Sequence, residues 1–241
     1  MKAVILSDLH LGSRYFFYEQ FEGLIKNIPE TYELILNGDI LDHPHQRIDF
    51  PHLQVLNLIQ QQSRRRKVVW ITGNHDNGYI PEKFGNVHFK SVYALEKRLL
   101  IVHGHDFDEI MPRNQAFMRV FTMLHKLRVR LGAKPVHVAK YAKRWKIFYK
   151  ILRENVMKNA IECARRNGYQ AVVCGHTHFP EDIVYHGIRY INTGAWTELP
   201  LYFLLVTDHE MTLKRIGECA DDRSGRLCLV GSERRLATYS R

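Results

Sequence analysis

Five short groups of residues in this chain carry side chains suited to binding metal ions or moving protons: Asp8-Leu9-His10, Gly38-Asp39, Gly73-Asn74-His75-Asp76, His103-Gly104-His105 and Gly175-His176-Thr177-His178. Within them Asp8, His10, Asp39, Asn74, His103, His176 and His178 offer imidazole, carboxylate and amide donors and no thiolate. That mixture suits Mn²⁺, Fe²⁺ or Zn²⁺ better than Ca²⁺. Seven donors exceed what one ion takes, whereas two ions sharing one carboxylate use them fully. Two ions about 3.5–4 Å apart clamp the attacking and leaving oxygens of an in-line phosphoryl displacement, so the donor set implies phosphoester chemistry. Each motif alone has a plainer reading. An Asp at a strand end is often a turn former or a helix cap, and a histidine pair can be satisfied within a polar loop. All five in this order, each closing an apolar run, favour metal.

Side chains so distant in sequence meet only if the fold delivers them to one edge. The apolar runs at 2–6, 33–36, 67–71, 99–102 and 170–174, bounded by turn residues, read as buried strands. Segments 17–28 and 53–63 have helical spacing, so strand and helix alternate and an α/β layered sheet is expected. In such sheets the loops at the carboxyl ends of strands converge on the ligand site, which is where each motif falls. Runs at 183–185, 188–191, 202–206 and 211–216, with a tight turn at His186-Gly187, read as one antiparallel meander. The charged, aperiodic stretch from Glu218 to Arg241 is expected to be a mobile tail.

A chain of 241 residues with 45% hydrophobic and 25% charged residues fits one domain carrying an insertion, and excludes collagen-like and globally disordered classes. The formal charge of +10 calls for an anionic partner: nucleic acid, a phosphorylated substrate or an acidic membrane surface. Cys163, Cys174, Cys219 and Cys228 form no C-x-x-C pair, so neither a disulfide framework nor a thiolate zinc site is expected. The apolar run at the N-terminus is too short for a signal-peptide core, and no stretch is long enough to cross a bilayer. The expected location is the cytoplasm, free or on a membrane face.

Residues 113–158 differ from the rest. Phe117, Val120, Phe121 and Leu124 form one helical stripe and Val138, Tyr141, Ala142, Trp145, Phe148, Tyr149 and Leu152 another, so amphipathic helices hinged near 132–135 are expected. Thirteen Lys and Arg here face a single acid, Glu154. The aromatic stripes either pack the helices together or line a path for acyl chains. The basic residues, Lys140, Lys143 and Arg144 among them, either meet a diphosphate or an anionic bilayer.

The five motifs resemble the calcineurin-like metallophosphoesterase superfamily, whose pattern D-x-H, G-D, G-N-H-[DE], H-G and G-H-x-H is intact here over about residues 1–216. The resemblance implies a four-layer α/β/β/α sandwich over 1–217, with a helical insertion, or lid, at about 110–158 and the tail at 218–241. It also implies that Asp8, His10, Asp39 and His178 hold one divalent ion and Asp39, Asn74, His103 and His176 the other, with Asp39 bridging. Mn²⁺ is the expected metal. By the same resemblance His75 stabilises the transition state or protonates the leaving oxygen, a role that suits an imidazole near neutral pH.

Chain length, the helical insertion and Tyr190-Ile191-Asn192-Thr193-Gly194-Ala195-Trp196 further resemble the UDP-2,3-diacylglucosamine hydrolase group of lipid A biosynthesis. That group hydrolyses a pyrophosphate to UMP and an acylated sugar 1-phosphate. The chain departs from its best-known branch with His75 in place of Arg, His105 in place of Asp and Ala195 in place of a frequent Asp. The expected partner is a phosphorylated, lipid-linked small molecule at an anionic membrane surface rather than nucleic acid. A nuclease, a phosphatase of another substrate and a non-catalytic scaffold are the alternatives. Arg113 is a candidate phosphate contact; Asp42, His43 and His45 either touch substrate or form a polar loop rim.

Overall fold

A computed structural model describes residues 2–43, 48–76, 84–113, 115–133, 141, 143, 145–218, 227–230 and 237–238, with the backbone alone for 112, 113, 115–122, 218, 227–230 and 237–238. Its strands are β1 (Ala3–Leu6), β2 (Glu33–Asn37), β3 (Val68–Ile71), β4 (Val87–Lys90), β5 (Val92–Leu95), β6 (Leu99–Val102), β7 (Ala171–Cys174), β8 (Glu181–Tyr185), β9 (Ile188–Asn192), β10 (Tyr202–Val206), β11 (Met211–Glu218), β12 (Leu227–Val230) and β13 (Ala237–Thr238). They form a seven-stranded sheet, β12-β11-β10-β1-β2-β3-β4, and a six-stranded sheet, β13-β8-β9-β7-β6-β5. The helices are α1 (Tyr18–Asn27), α2 (Phe50–Gln62), α3 (Ile110–Arg113), α4 (Gln115–Arg130) and α5 (Lys146–Arg166).

Side-chain alternation along each central strand builds the layers. Val4 and Leu6 of β1, Leu34 and Leu36 of β2, and Val68 and Trp70 of β3 pack against Phe21, Leu24 and Ile25 of α1 and Val55, Leu56 and Ile59 of α2. The intervening Ala3, Ile5, Ile35, Val69 and Ile71 meet Leu99, Ile101, Ala171, Val173 and Ile191 of the second sheet. That sheet's other face, Leu100, Val102, Val172, Cys174 and Tyr190, is covered by Met157, Ala160, Ile161 and Ala164 of α5. The order is helix, sheet, sheet, helix. Strands buried on both faces read as continuous apolar runs rather than alternating ones, so their sequences stood out.

Three expectations need correction. The four runs at 183–216 are not one meander: β8 and β9 pair in the second sheet, while β10 pairs with β1 and β11 in the first. The tail is not wholly without regular structure, because β12 pairs with β11 and β13 with β8. Strands β4 and β5 carried no recognised signal. Both are partly exposed strands at sheet edges, where the apolar pattern is weakest.

The hinge at 132–135 falls partly outside the described residues, as do residue 138 and the side chains of Phe117, Val120 and Phe121. Beyond it α5 is a continuous helix. Ile147 and Ile151 near its start are exposed, while Val156, Met157, Ala160 and Ile161 are buried. No described helix is long and apolar enough to cross a membrane.

Candidate metal centre

Strands β1, β2 and β3 of one sheet and β6 and β7 of the other end at a shared rim, and the five motifs leave from those ends. Asn37, the last residue of β2, ties the sheets there by donating from Nδ2 to the carbonyl of Val102, 3.0 Å away on the other sheet. The turns that follow are tight. Asp8, His10, Asp39, His176 and His178 all have positive φ, between 51° and 62°. Non-glycine residues adopt this left-handed conformation at a cost of about 1–3 kcal/mol each, and such residues concentrate at functional sites.

The carboxylates and imidazoles converge. Asp8, His10, Asp39 and His178 present donor atoms within 4.8 Å of one another, and Asp39, His103 and His176 form a second such group, so Asp39 belongs to both. His178 Nε2 lies 3.2 Å from Asp8 Oδ1 and 3.2 Å from His10 Nε2. His103 Nε2 lies 3.3 Å from Asp39 Oδ2. Glycine makes room for this crowding: a Cβ on Gly73 would overlap the Asp39 carboxylate and one on Gly175 the Asp8 carboxylate. Asn74 sits in the same loop as Gly73 and is exposed.

The donors fit divalent metal. His103 Nδ1 donates to the carbonyl of Asn37 at 2.9 Å, which leaves Nε2, a buried nitrogen that makes no hydrogen bond, as the ring atom that could face an ion. A histidine fixed through one nitrogen with the other turned toward a carboxylate is the arrangement of a metal ligand. Asp42 serves His10 in the same way, with Oδ1 3.1 Å from Nδ1, and Asp108 serves His176, with Oδ2 2.9 Å from Nε2.

Electrostatics within the cluster are strong. Burial opposes charge on Asp39, yet His103 beside it holds the carboxyl well below the usual range. Burial likewise opposes charge on Asp8, and His178 and His103 outweigh it. His103 itself is depressed by burial but raised to about 10 by Asp39 and Asp8. Burial pushes Asp108 up, and the hydrogen bond from His176 brings it below its ordinary value.

His75 stands beside the first group, its ring edge-on to His10 at 4.8 Å. Its backbone N–H donates to Asp39 Oδ1 at 2.8 Å and its Nδ1 to the carbonyl of Asp42 at 2.6 Å. The last residue of that motif, Asp76, is buried and accepts hydrogen bonds from the Leu41 N–H (2.8 Å), the Gly73 N–H (3.1 Å) and Trp70 Nε1 (3.3 Å). It fastens two motif loops together.

The family model described as calcineurin-like phosphoesterase matches residues 1–180. The chain belongs to the calcineurin-like phosphoesterase family. The family's description is that of phosphoesterases, and the buried His/Asp groups of this chain are placed so that they could hold divalent metal. The DNA polymerase II small subunit of Thermoplasma acidophilum is 26% identical over 231 residues, covering 79% of this chain and 44% of that one, so this chain spans less than half of that relative. Two solved structures share the fold: a single mutant of Vps29 from Entamoeba histolytica (TM-score 0.51, 12% identity, 95% of this chain and 97% of that one) and Vps29 from Chaetomium thermophilum (TM-score 0.51, 11% identity, 96% and 95%).

Several residues were placed differently by sequence. Asp42 was read as a substrate contact or loop rim and lies behind His10; His43 is exposed and His45 is outside the described residues. Lys143, counted with the surface-facing lysines, donates to the His178 carbonyl at 2.6 Å and pairs with Glu198. Lys140, Arg144 and the Arg113 side chain are outside the described residues. Asp108 was missed, since an Asp three residues past a His-Gly-His signals only a turn. The Asn192-Thr193-Gly194 run proves to be a brace: Asn192 Nδ2 donates to the Gly175 carbonyl at 2.6 Å, and Thr193 Oγ1 lies 2.7 Å from Ser7 Oγ.

Proposed function

We propose that this phosphoesterase hydrolyses the diphosphate of a nucleotide-diphospho-lipid such as UDP-2,3-diacylglucosamine, giving UMP and an acylated sugar 1-phosphate, at an anionic membrane surface. The observation that carries the hydrolytic part is Asp39, whose carboxylate is shared by two groups of metal-ligating side chains at one rim. Asp8, His10, Asp39 and His178 would hold one ion and Asp39, Asn74, His103 and His176 the other, with Mn²⁺ the expected occupant. When bound, such a pair supplies concentrated positive charge to the oxygens of a phosphoryl group. His75, oriented by the Asp42 carbonyl, would act as an imidazolium, giving its Nε2 proton to the leaving oxygen and ending neutral with its Nδ1–H still on that carbonyl.

Two features support an amphiphilic substrate. A cavity of about 350 Å³ begins at the His103–Phe107 loop and is lined by Val92, Leu100, Val102, Phe107 and Tyr169, an apolar slot beside a charged centre. The insertion exposes Met123, Leu127, Leu131, Ile147 and Ile151 together with Lys126, Arg130, Lys146 and Lys150, the composition of a helix surface that lies on anionic lipid.

The test is product analysis with Mn²⁺-loaded protein given UDP-2,3-diacylglucosamine, single-stranded DNA and bis(p-nitrophenyl) phosphate in parallel. UMP released from the lipid far faster than the other substrates turn over supports the proposal. Turnover of the generic diester alone removes the lipid and keeps the hydrolase. Preferential DNA cleavage moves the substrate to nucleic acid.

A further inference from the structure

Asp108 uses both of its oxygens, each on a different part of the molecule. Oδ2 accepts from His176 Nε2 at 2.9 Å. Oδ1 accepts from the backbone N–H groups of Ile110 at 2.8 Å and Met111 at 2.9 Å, the first turn of α3, from which the chain enters α4 of the insertion. The residue is 5% exposed, and α5 pins the backbone on both sides of it: Asn159 Nδ2 donates to the Phe107 carbonyl at 2.9 Å, and the Glu109 N–H donates to Asn155 Oδ1 at 3.0 Å. The carboxylate cannot follow one partner without disturbing the other.

We propose that Asp108 is a positioning residue that couples metal capture at His176 to the seating of the helical insertion. An ionised carboxylate accepts only, so Nε2 of His176 carries the proton and Nδ1 keeps its lone pair for an ion shared with Asp39 and His103. Binding there fixes the His176 ring. The fixed ring holds Asp108, and Asp108 holds the start of α3. By linkage, a firmly seated insertion raises metal affinity to the same degree that metal firms the insertion. Lys143 and the Tyr149 hydroxyl, which donate to the carbonyls of His178 and Thr177, add further ties between the insertion side and this ligand loop.

The inference rests on the metal-centre reading, and its test uses the full-length protein. Asp108→Asn separates the two roles, because Asn caps a helix start about as well as Asp but does not impose the same tautomer on His176. Expected are a 10–100-fold weaker Mn²⁺ affinity by titration in Asp108→Asn, and slower hydrogen exchange across 110–131 in wild type with Mn²⁺ than with EDTA. The variant is expected to lose that difference. Mn²⁺ affinity within twofold of wild type would reduce Asp108 to a cap and overturn the coupling. Equal exchange in wild-type protein with and without Mn²⁺ would do the same, even if the variant failed to fold. Wild-type protein that takes up no Mn²⁺, Fe²⁺ or Zn²⁺ would overturn the metal-centre reading itself and the inference with it.

Discussion

Carboxylates and imidazoles that would repel or desolvate one another elsewhere are here forced together by loops in which five of these residues lie in the left-handed region. Asp39→Asn removes the shared ligand while nearly preserving shape, and is expected to abolish metal-dependent turnover with far-UV circular dichroism unchanged. His75→Ala is expected to slow turnover about 10²–10⁴-fold, the usual range for a general acid, with metal content by elemental analysis unaltered; full activity would remove His75 from the chemistry. The Asp39–His103 pair also sets a pH signature in chelated protein. Asp39 is lowered from 3.8, so its stabilisation is present above that value and lost as the pH falls through the lower folded one. His103 is raised from 6.5 to about 10, so its contribution is complete below 6.5 and disappears on the way to 10. Unfolding temperature in EDTA is therefore expected to decline from pH 6.5 to 10, and a His103→Asn variant to decline less. The ligands were legible because glycine, acid and histidine recur at fixed offsets. Asp42 and Asp108 were not, since their work depends on which imidazole lies behind them.

Strands and loops divide the labour at the next scale. The central strands were legible as apolar runs because helices or the opposing sheet cover both faces, whereas β4 and β5, at sheet edges, mix His88, Lys90 and exposed Val92 into short segments. Partnership was harder to read: hydrophobicity marks β8 to β11 as strands but does not say that β10 crosses to pair beside β1. Between elements, Asp76 fastens the turn after β3 to the one after β2, and burial raises its pKa. Asp76→Ala would leave the Leu41 and Gly73 N–H groups without this acceptor. At about 1–3 kcal/mol for each buried unpaired donor, a loss of at least about 2 kcal/mol is expected by urea unfolding.

For the molecule as a whole, basic charge and most of the exposed large apolar side chains gather on the insertion, while Phe50, Leu53, Val92 and Leu199 are the exposed ones elsewhere among the described residues. Reversing Lys126, Arg130, Lys146 and Lys150 to Glu is expected to cut co-sedimentation with phosphatidylglycerol vesicles at least about tenfold, given roughly 1 kcal/mol per basic residue at an anionic surface. Turnover of bis(p-nitrophenyl) phosphate should stay unchanged. Equal co-sedimentation would leave the exposed helices without a lipid partner.

The donors of the metal centre come from both sheets, joined at the rim by Asn37, and this sets when in the life of the chain an ion can be captured. Asp8, His10 and Asp39 are complete once the first half is synthesised, but His103, His176 and His178 arrive only when the second sheet has formed and docked. Metal therefore cannot template early folding; it closes on a sandwich already assembled. Ion uptake during refolding is a late clock, and a chain ending with β3 would carry three of the seven expected ligands and no centre.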